Sequence, residues 1–136
     1  YETVMQAGYA AMSKYDGAAI ARANALGDRF QAGLKRVIDQ NGLNIQSNQI
    51  GSLLNIHFVN EPATTPEVVL KSEEKLHALM HLSLLNKGVF NIPRGLFILS
   101  CVLTDQEIDF LVDKIDETLK ELLPLIQEKY NHLLFE

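Results

Sequence analysis

The side chains that could do chemistry in this 136-residue chain are four histidines, one cysteine, and a set of lysines and arginines. His77 and His81 lie four apart inside a helical pattern, which puts both rings on one face. That spacing holds zinc when a third ligand joins them, and a zinc protease adds a glutamate between them as the base. Here the residues between are Ala78, Leu79 and Met80, so no metal is expected and packing at a domain or subunit contact is the reading. His57 sits in an apolar β run with no acid or nucleophile spaced to work with it, which makes it a hydrogen-bonded structural histidine. Cys101, the single cysteine, leaves no intrachain disulfide, and its apolar surroundings predict a buried, inert thiol. The acidic residues Asp109, Asp113, Asp116, Glu117 and Glu121 read as a solvated helix face, not an acid–base pair. A glycine-rich phosphate cradle and a nucleophile elbow are both missing from the sequence.

The elements that must position these groups are legible from periodicity and capping. Thr3 to Tyr15 predicts a short helix, with Met5, Tyr9 and Met12 at helical spacing and Ala7, Gly8, Ala10 and Ala11 as a small-residue face. Asp16 is the N-cap of a second helix over Ala18 to Gln40, whose apolar positions are Ile20, Ala23, Leu26, Phe30, Leu34 and Ile38. Arg22, Arg29 and Arg36, seven apart, form a basic stripe that reads as a solvated face. Leu43 to Gln46 has the makings of a short strand. Ile50 to Val59 reads as a β run with Leu54, Ile56 and Phe58 inward and Leu53, Asn55, His57 and Val59 on the other face. Gly51 permits a bulge or a close backbone approach there.

Thr64 or Thr65 caps the next helix, with Pro66 in its first turn, and a restart near Ser72 would split Glu67 to Asn86 into two helices. Lys87-Gly88 stops it. Val89 to Ile92 and Leu96 to Leu103 are predicted strands separated by Pro93-Arg94-Gly95. Thr104 and Glu107 form a capping box for a last helix running from Asp105 to about Leu123, and Pro124 should kink or restart it. Leu133, Leu134 and Phe135 are expected to pack back onto the body.

Composition is that of one soluble globular domain over 1–136, with 47% apolar residues, 21% charged residues and a net charge of −5. No basic block is present to displace counterions, so a nucleic-acid partner is not expected. No apolar stretch approaches the roughly 20 residues of a membrane span, and no signal-peptide pattern is present. The start at Tyr1 inside a helical pattern suggests a trimmed fragment.

Several short motifs occur in one order. These are Met5, Ala7, Gly8 and Ala10 in the first helix, Asn24 to Arg29 (NALGDR) in the second, and Gly51 to Phe58 (GSLLNIHF) in the β run. Leu84 to Val89 (LLNKGV), Pro93-Arg94-Gly95, Ile98-Leu99-Ser100, and Thr104 to Asp109 (TDQEID) follow. In that order they resemble the C-terminal small domain of class III pyridoxal-phosphate-dependent aminotransferases, above all the glutamate-1-semialdehyde aminomutase-like branch.

The resemblance implies an α+β fold: a small, mostly antiparallel sheet of three to four strands covered by helices. It also implies a cytoplasmic homodimeric parent enzyme in which a large domain holds pyridoxal phosphate on a lysine. None of Lys14, Lys35, Lys71, Lys75, Lys87, Lys114, Lys120 and Lys129 sits in the family's lysine motif, so this chain alone is not expected to bind the cofactor or to catalyse transamination. The family's loop at Ile92 to Leu96 leans toward the cofactor cleft, and relatives carry a proline, serine and glutamate pattern where this chain has Pro93-Arg94-Gly95-Leu96. Arg94 is therefore the candidate substrate-binding residue, either a planar clamp for a substrate carboxylate or a solvent-exposed turn arginine. The rival to the aminotransferase reading is a non-enzymatic α+β module for dimerisation or small-ligand binding.

Overall fold

The computed structural model describes residues 1–135. Helix α1 (Glu2–Lys14) is followed by α2 (Gly17–Gln40), a hairpin of β1 (Gln46–Ile50) and β2 (Leu53–His57), a single turn α3 (Pro66–Val69), α4 (Glu74–Asn86), β3 (Leu96–Ile98) and α5 (Asp105–Lys129). A 3-10 turn over Asn131–Leu133 ends the described chain. The fold is α+β, with one antiparallel sheet in the order β1-β2-β3.

The core lies between one face of that sheet and the helices. Leu54 pairs with Phe97 across β2 and β3. Together with Ile56 and Phe58 they point at Leu26, Phe30 and Leu34 of α2 and at Ile108, Val112, Ile115 and Leu119 of α5, all in one buried cluster. Phe30 is fully buried and meets Phe97 edge to face at 5.2 Å. Full burial of each such side chain stabilises the fold by about 1.5–3 kcal/mol relative to exposure.

Two of the predicted caps form, whereas Thr65 stands at the N-cap of α3 without a side-chain cap bond. Asp16 accepts from the Ala19 amide at 2.9 Å. At the start of α5 the Glu107 amide donates to the Thr104 hydroxyl at 3.3 Å, and the Thr104 amide donates to the Glu107 carboxylate at 2.7 Å. That backbone bond, with the threonine hydroxyl, holds the Glu107 carboxyl below its ordinary pKa.

Several expectations change. The β run predicted over Ile50 to Val59 is the turn and second half of a hairpin. Ile50 pairs with Leu53 around Gly51-Ser52, and Gly51 adopts a left-handed φ of 57°. The first strand, Gln-Ser-Asn-Gln, is too polar for an apolar-run criterion to find. Strand β3 covers only Leu96–Ile98, and Val89 to Ile92 contributes a single bridge, Ile92 to Leu96. Cys101 therefore falls in the turn after the strand and is half-buried, not enclosed.

Pro124 neither stops nor restarts α5, which continues to Lys129. The proline faces solvent, while Leu122 and Ile126 on either side of it are buried. Burial of the next turn thus offsets the loss of one backbone bond. The tail packs in part: Leu133 is fully buried and Leu134 bridges to Leu43, while Phe135 stays exposed.

Candidate functional site

The face of the sheet turned away from the helices is open. Ile50, Leu53 and Ile98, paired across the three strands, form an exposed apolar row. The next row is Asn48, Asn55 and Leu96. An apolar hollow of about 290 Å³ spans these two rows.

Beyond them, at the His57 end of β2, lies a second hollow of about 280 Å³, lined by polar groups: Asn55, His57, Ser72, Glu74, His77 and Arg94. The two hollows meet at Asn55.

Arg94 reaches this place through an unusual backbone. It has a φ of 79° and is followed by Gly95 at 81°, while Ile92 closes the turn by donating its amide to Leu96 at 2.9 Å. A left-handed φ is uncommon outside glycine and costs of order 1 kcal/mol or more. Arg94 is exposed and makes no hydrogen bond or ion pair within the described residues. Its planar fork of five N–H donors is thus available to a carboxylate.

His77 and Ser72 form the inner wall. The Ser72 hydroxyl accepts the Phe58 amide at 2.8 Å and lies 2.7 Å from His77 Nε2. Which of the two atoms donates follows from the ring tautomer; the other ring nitrogen is Nδ1. That nitrogen is buried and has no partner. Asn55 Oδ1, which lines the same hollow, is also buried without a partner. Buried polar atoms of this kind are rare in folded proteins. Burial, with His57 and Arg94 close by, pushes His77 down to about 4, and burial also lowers His57. Both rings are neutral at pH 7.

The other chemistry-bearing residues do not converge here. His81 bonds Asn91 through Nδ1 at 3.0 Å, and among the described residues no group of three His, Cys, Asp or Glu could hold a metal ion. The arginine stripe of α2 is more than a solvated face. Arg22 donates to the Cys101 and Leu103 carbonyls at 2.8 and 3.0 Å. Arg29 forks onto Asp109 at 2.8 and 2.7 Å, and this bond holds the Asp109 carboxyl below its usual range. These contacts tie α2 to the loop and first turn of α5. The sequence signal was the seven-residue spacing itself, which lines three arginines along one helix edge.

No family model matches the chain. It is 36% identical to the β-phenylalanine transaminase of Variovorax paradoxus, over 77% of this chain and 24% of that protein. It is 32% identical to a glutamate-1-semialdehyde 2,1-aminomutase of Macrococcus caseolyticus, over 88% of this chain and 28% of that protein. The crystal structure of the Variovorax aminotransferase superposes with a TM-score of 0.67 at 33% identity, over 80% of this chain and 24% of that one. These homologues are a β-phenylalanine transaminase and glutamate-1-semialdehyde aminomutases, and the structural neighbours of the chain are class III pyridoxal-phosphate-dependent transaminases.

An omega-transaminase from Sphaerobacter thermophilus superposes with a TM-score of 0.70 at 25% identity, over 81% of this chain and 26% of its own. The chain spans about a quarter of the length of the relatives it matches, and the match is to their C-terminal region.

The residues present do not form a holder for the cofactor of these aminotransferases. A cofactor aldehyde needs a desolvated lysine amine. Lys87, the most withdrawn in the ion pairs of this chain, is bonded to Glu121 and to Ser83, each at 2.7 Å. Lys71, Lys114 and Lys120 pair with Glu61, Glu117 and Asp116 at the surface, and Lys14, Lys35, Lys75 and Lys129 are exposed. No lysine lines the hollow beneath Arg94.

Proposed function

We propose that this chain, as one domain over 1–136, is the small C-terminal domain of a pyridoxal-phosphate-dependent aminotransferase or aminomutase of the glutamate-1-semialdehyde type. Its partner is a large cofactor-binding domain, and the intact enzyme is a homodimer. The chain supplies a wall of the substrate cleft and no covalent chemistry of its own. A cytoplasmic location belongs to the same reading, supported by a single cysteine that forms no disulfide within the chain.

The observation that carries the proposal is Arg94. It is a cation without a hydrogen-bond or ion-pair partner among the described residues, set at a left-handed turn at the edge of the open sheet face. A planar fork at the rim of a cleft binds and orients a substrate carboxylate. The residues around it are neutral at physiological pH apart from Glu74, so the field at the rim depends on this arginine.

Two measurements test the reading. Pyridoxal phosphate added to this chain should give no Schiff-base absorbance that survives gel filtration; a stable adduct would place the cofactor lysine here. In the full-length enzyme, Arg94→Ala should raise KM for a carboxylate substrate by roughly tenfold or more. An unchanged KM would reject the clamp.

A further inference from the structure

We propose that His77 is the positioning residue for Arg94: held by Ser72, its ring is the post against which the Arg94-Gly95 turn is seated. This rests on the carboxylate-clamp reading above. Arg94 has no side-chain partner within the described residues, so its guanidinium is aimed by the main chain alone.

That main chain is gripped at Gly95. The Gly95 carbonyl accepts from the Ile56 amide at 3.0 Å. A Cβ built on Gly95 would lie 2.5 Å from the Ile56 carbonyl oxygen, 3.0 Å from His77 Cε1 and 3.1 Å from His77 Nδ1. The glycine is therefore wedged between strand β2 and the edge of the imidazole, at a φ only glycine adopts freely. The ring cannot drift to relieve that contact. Its far nitrogen is bonded to Ser72, Ser72 also holds the Phe58 amide, and the Phe58 ring meets the imidazole edge on at 5.0 Å.

An apolar side chain at position 77 would fill the same volume without leaving a buried nitrogen unpartnered. The polar ring is retained at a desolvation cost, and what it gains is the bond to Ser72 that fixes its orientation. It is also uncharged at pH 7, so it seats a cationic turn without repelling it.

The test uses the full-length enzyme and two substrates that differ in one group: β-phenylalanine and its carboxylate-free counterpart, 1-phenylethylamine. His77→Phe keeps an aromatic ring and removes the Ser72 bond, and Ser72→Ala removes the bond from the other side. Each should raise KM for β-phenylalanine by roughly tenfold, leave kcat within about threefold, and leave both parameters for 1-phenylethylamine unchanged. Adding His77→Phe to Arg94→Ala should cause no further loss, because the two residues act as one unit. Equal effects on both substrates, or a full extra loss in the double variant, would overturn the proposal. If His77→Phe does not fold, Ser72→Ala alone decides between these outcomes. If Arg94→Ala discriminates between the two substrates and neither the His77 nor the Ser72 variant does, the positioning role is wrong while the clamp stands. If Arg94→Ala does not discriminate, the clamp reading itself fails.

Discussion

The two faces of the three-stranded sheet follow opposite rules. On the covered face, Leu54, Ile56 and Phe97 meet α2 and α5 with almost no exposure. On the open face, Ile50, Leu53 and Ile98 stay exposed, and Asn55 and His77 each keep a buried polar atom without a partner. The first face is satisfied within the chain. The contrast separates residues buried in the core from residues left at the surface.

The contrast breaks most easily at Phe30. Phe30→Ala removes a fully buried ring and its contact with Phe97, and should cost about 3–5 kcal/mol in urea unfolding. A loss under about 1 kcal/mol would mean the covered face is not the seat of stability.

Acid should act next, from the other face. His77 titrates near 4 in the fold, against about 6.5 unfolded, so the unfolded chain binds more protons between those values. Stability is therefore full above about pH 6.5 and is lost as pH falls toward 4, by about 2 kcal/mol between pH 7 and pH 5. His57, lowered in the same direction, adds to the loss. The depressed carboxyls of Asp109, Glu107 and Glu121 act in a separate window, below about pH 4. Unfolding midpoints for wild type and His77→Phe at the two pH values check this; the variant should show the flatter dependence.

Thr104→Ala removes one half of the capping box and should cost about 1 kcal/mol, read as a shifted thermal midpoint. The smallest effect belongs to Arg94→Ala, whose stability should stay within about 0.5 kcal/mol of wild type, since the exposed side chain makes no hydrogen bond or ion pair among the described residues. A large destabilisation there would make the arginine structural and erase the distinction between the faces.

How much of this was readable in advance follows the same division. Periodicity and caps located α2 and α5, because burial on one helix face and a hydroxyl–carboxylate exchange leave local marks in sequence. The inward trio Leu54, Ile56 and Phe58 was legible for the same reason. The hairpin was not: β1 is polar, and the only sign of the reversal was Gly51, equally compatible with a bulge. Arg94 was picked out by the turn it occupies together with the resemblance around it. His77 was read as packing; the restart near Ser72 was legible as an alternative, but the bond from Ser72 back to His77 depends on how the loop between α3 and α4 folds, which no short spacing records. Pro124 misled because its position against solvent, with Ile126 buried one turn on, is a property of the packed molecule.

The uncovered row of Ile50, Leu53 and Ile98 carries a practical consequence. It begins at Ile50 in β1, an edge strand without a charged residue or proline to discourage pairing. Isolated at high concentration, this polypeptide will tend to self-associate through that strand and the greasy strip beside it. A single lysine in place of Ile50 is the simplest way to keep it dispersed.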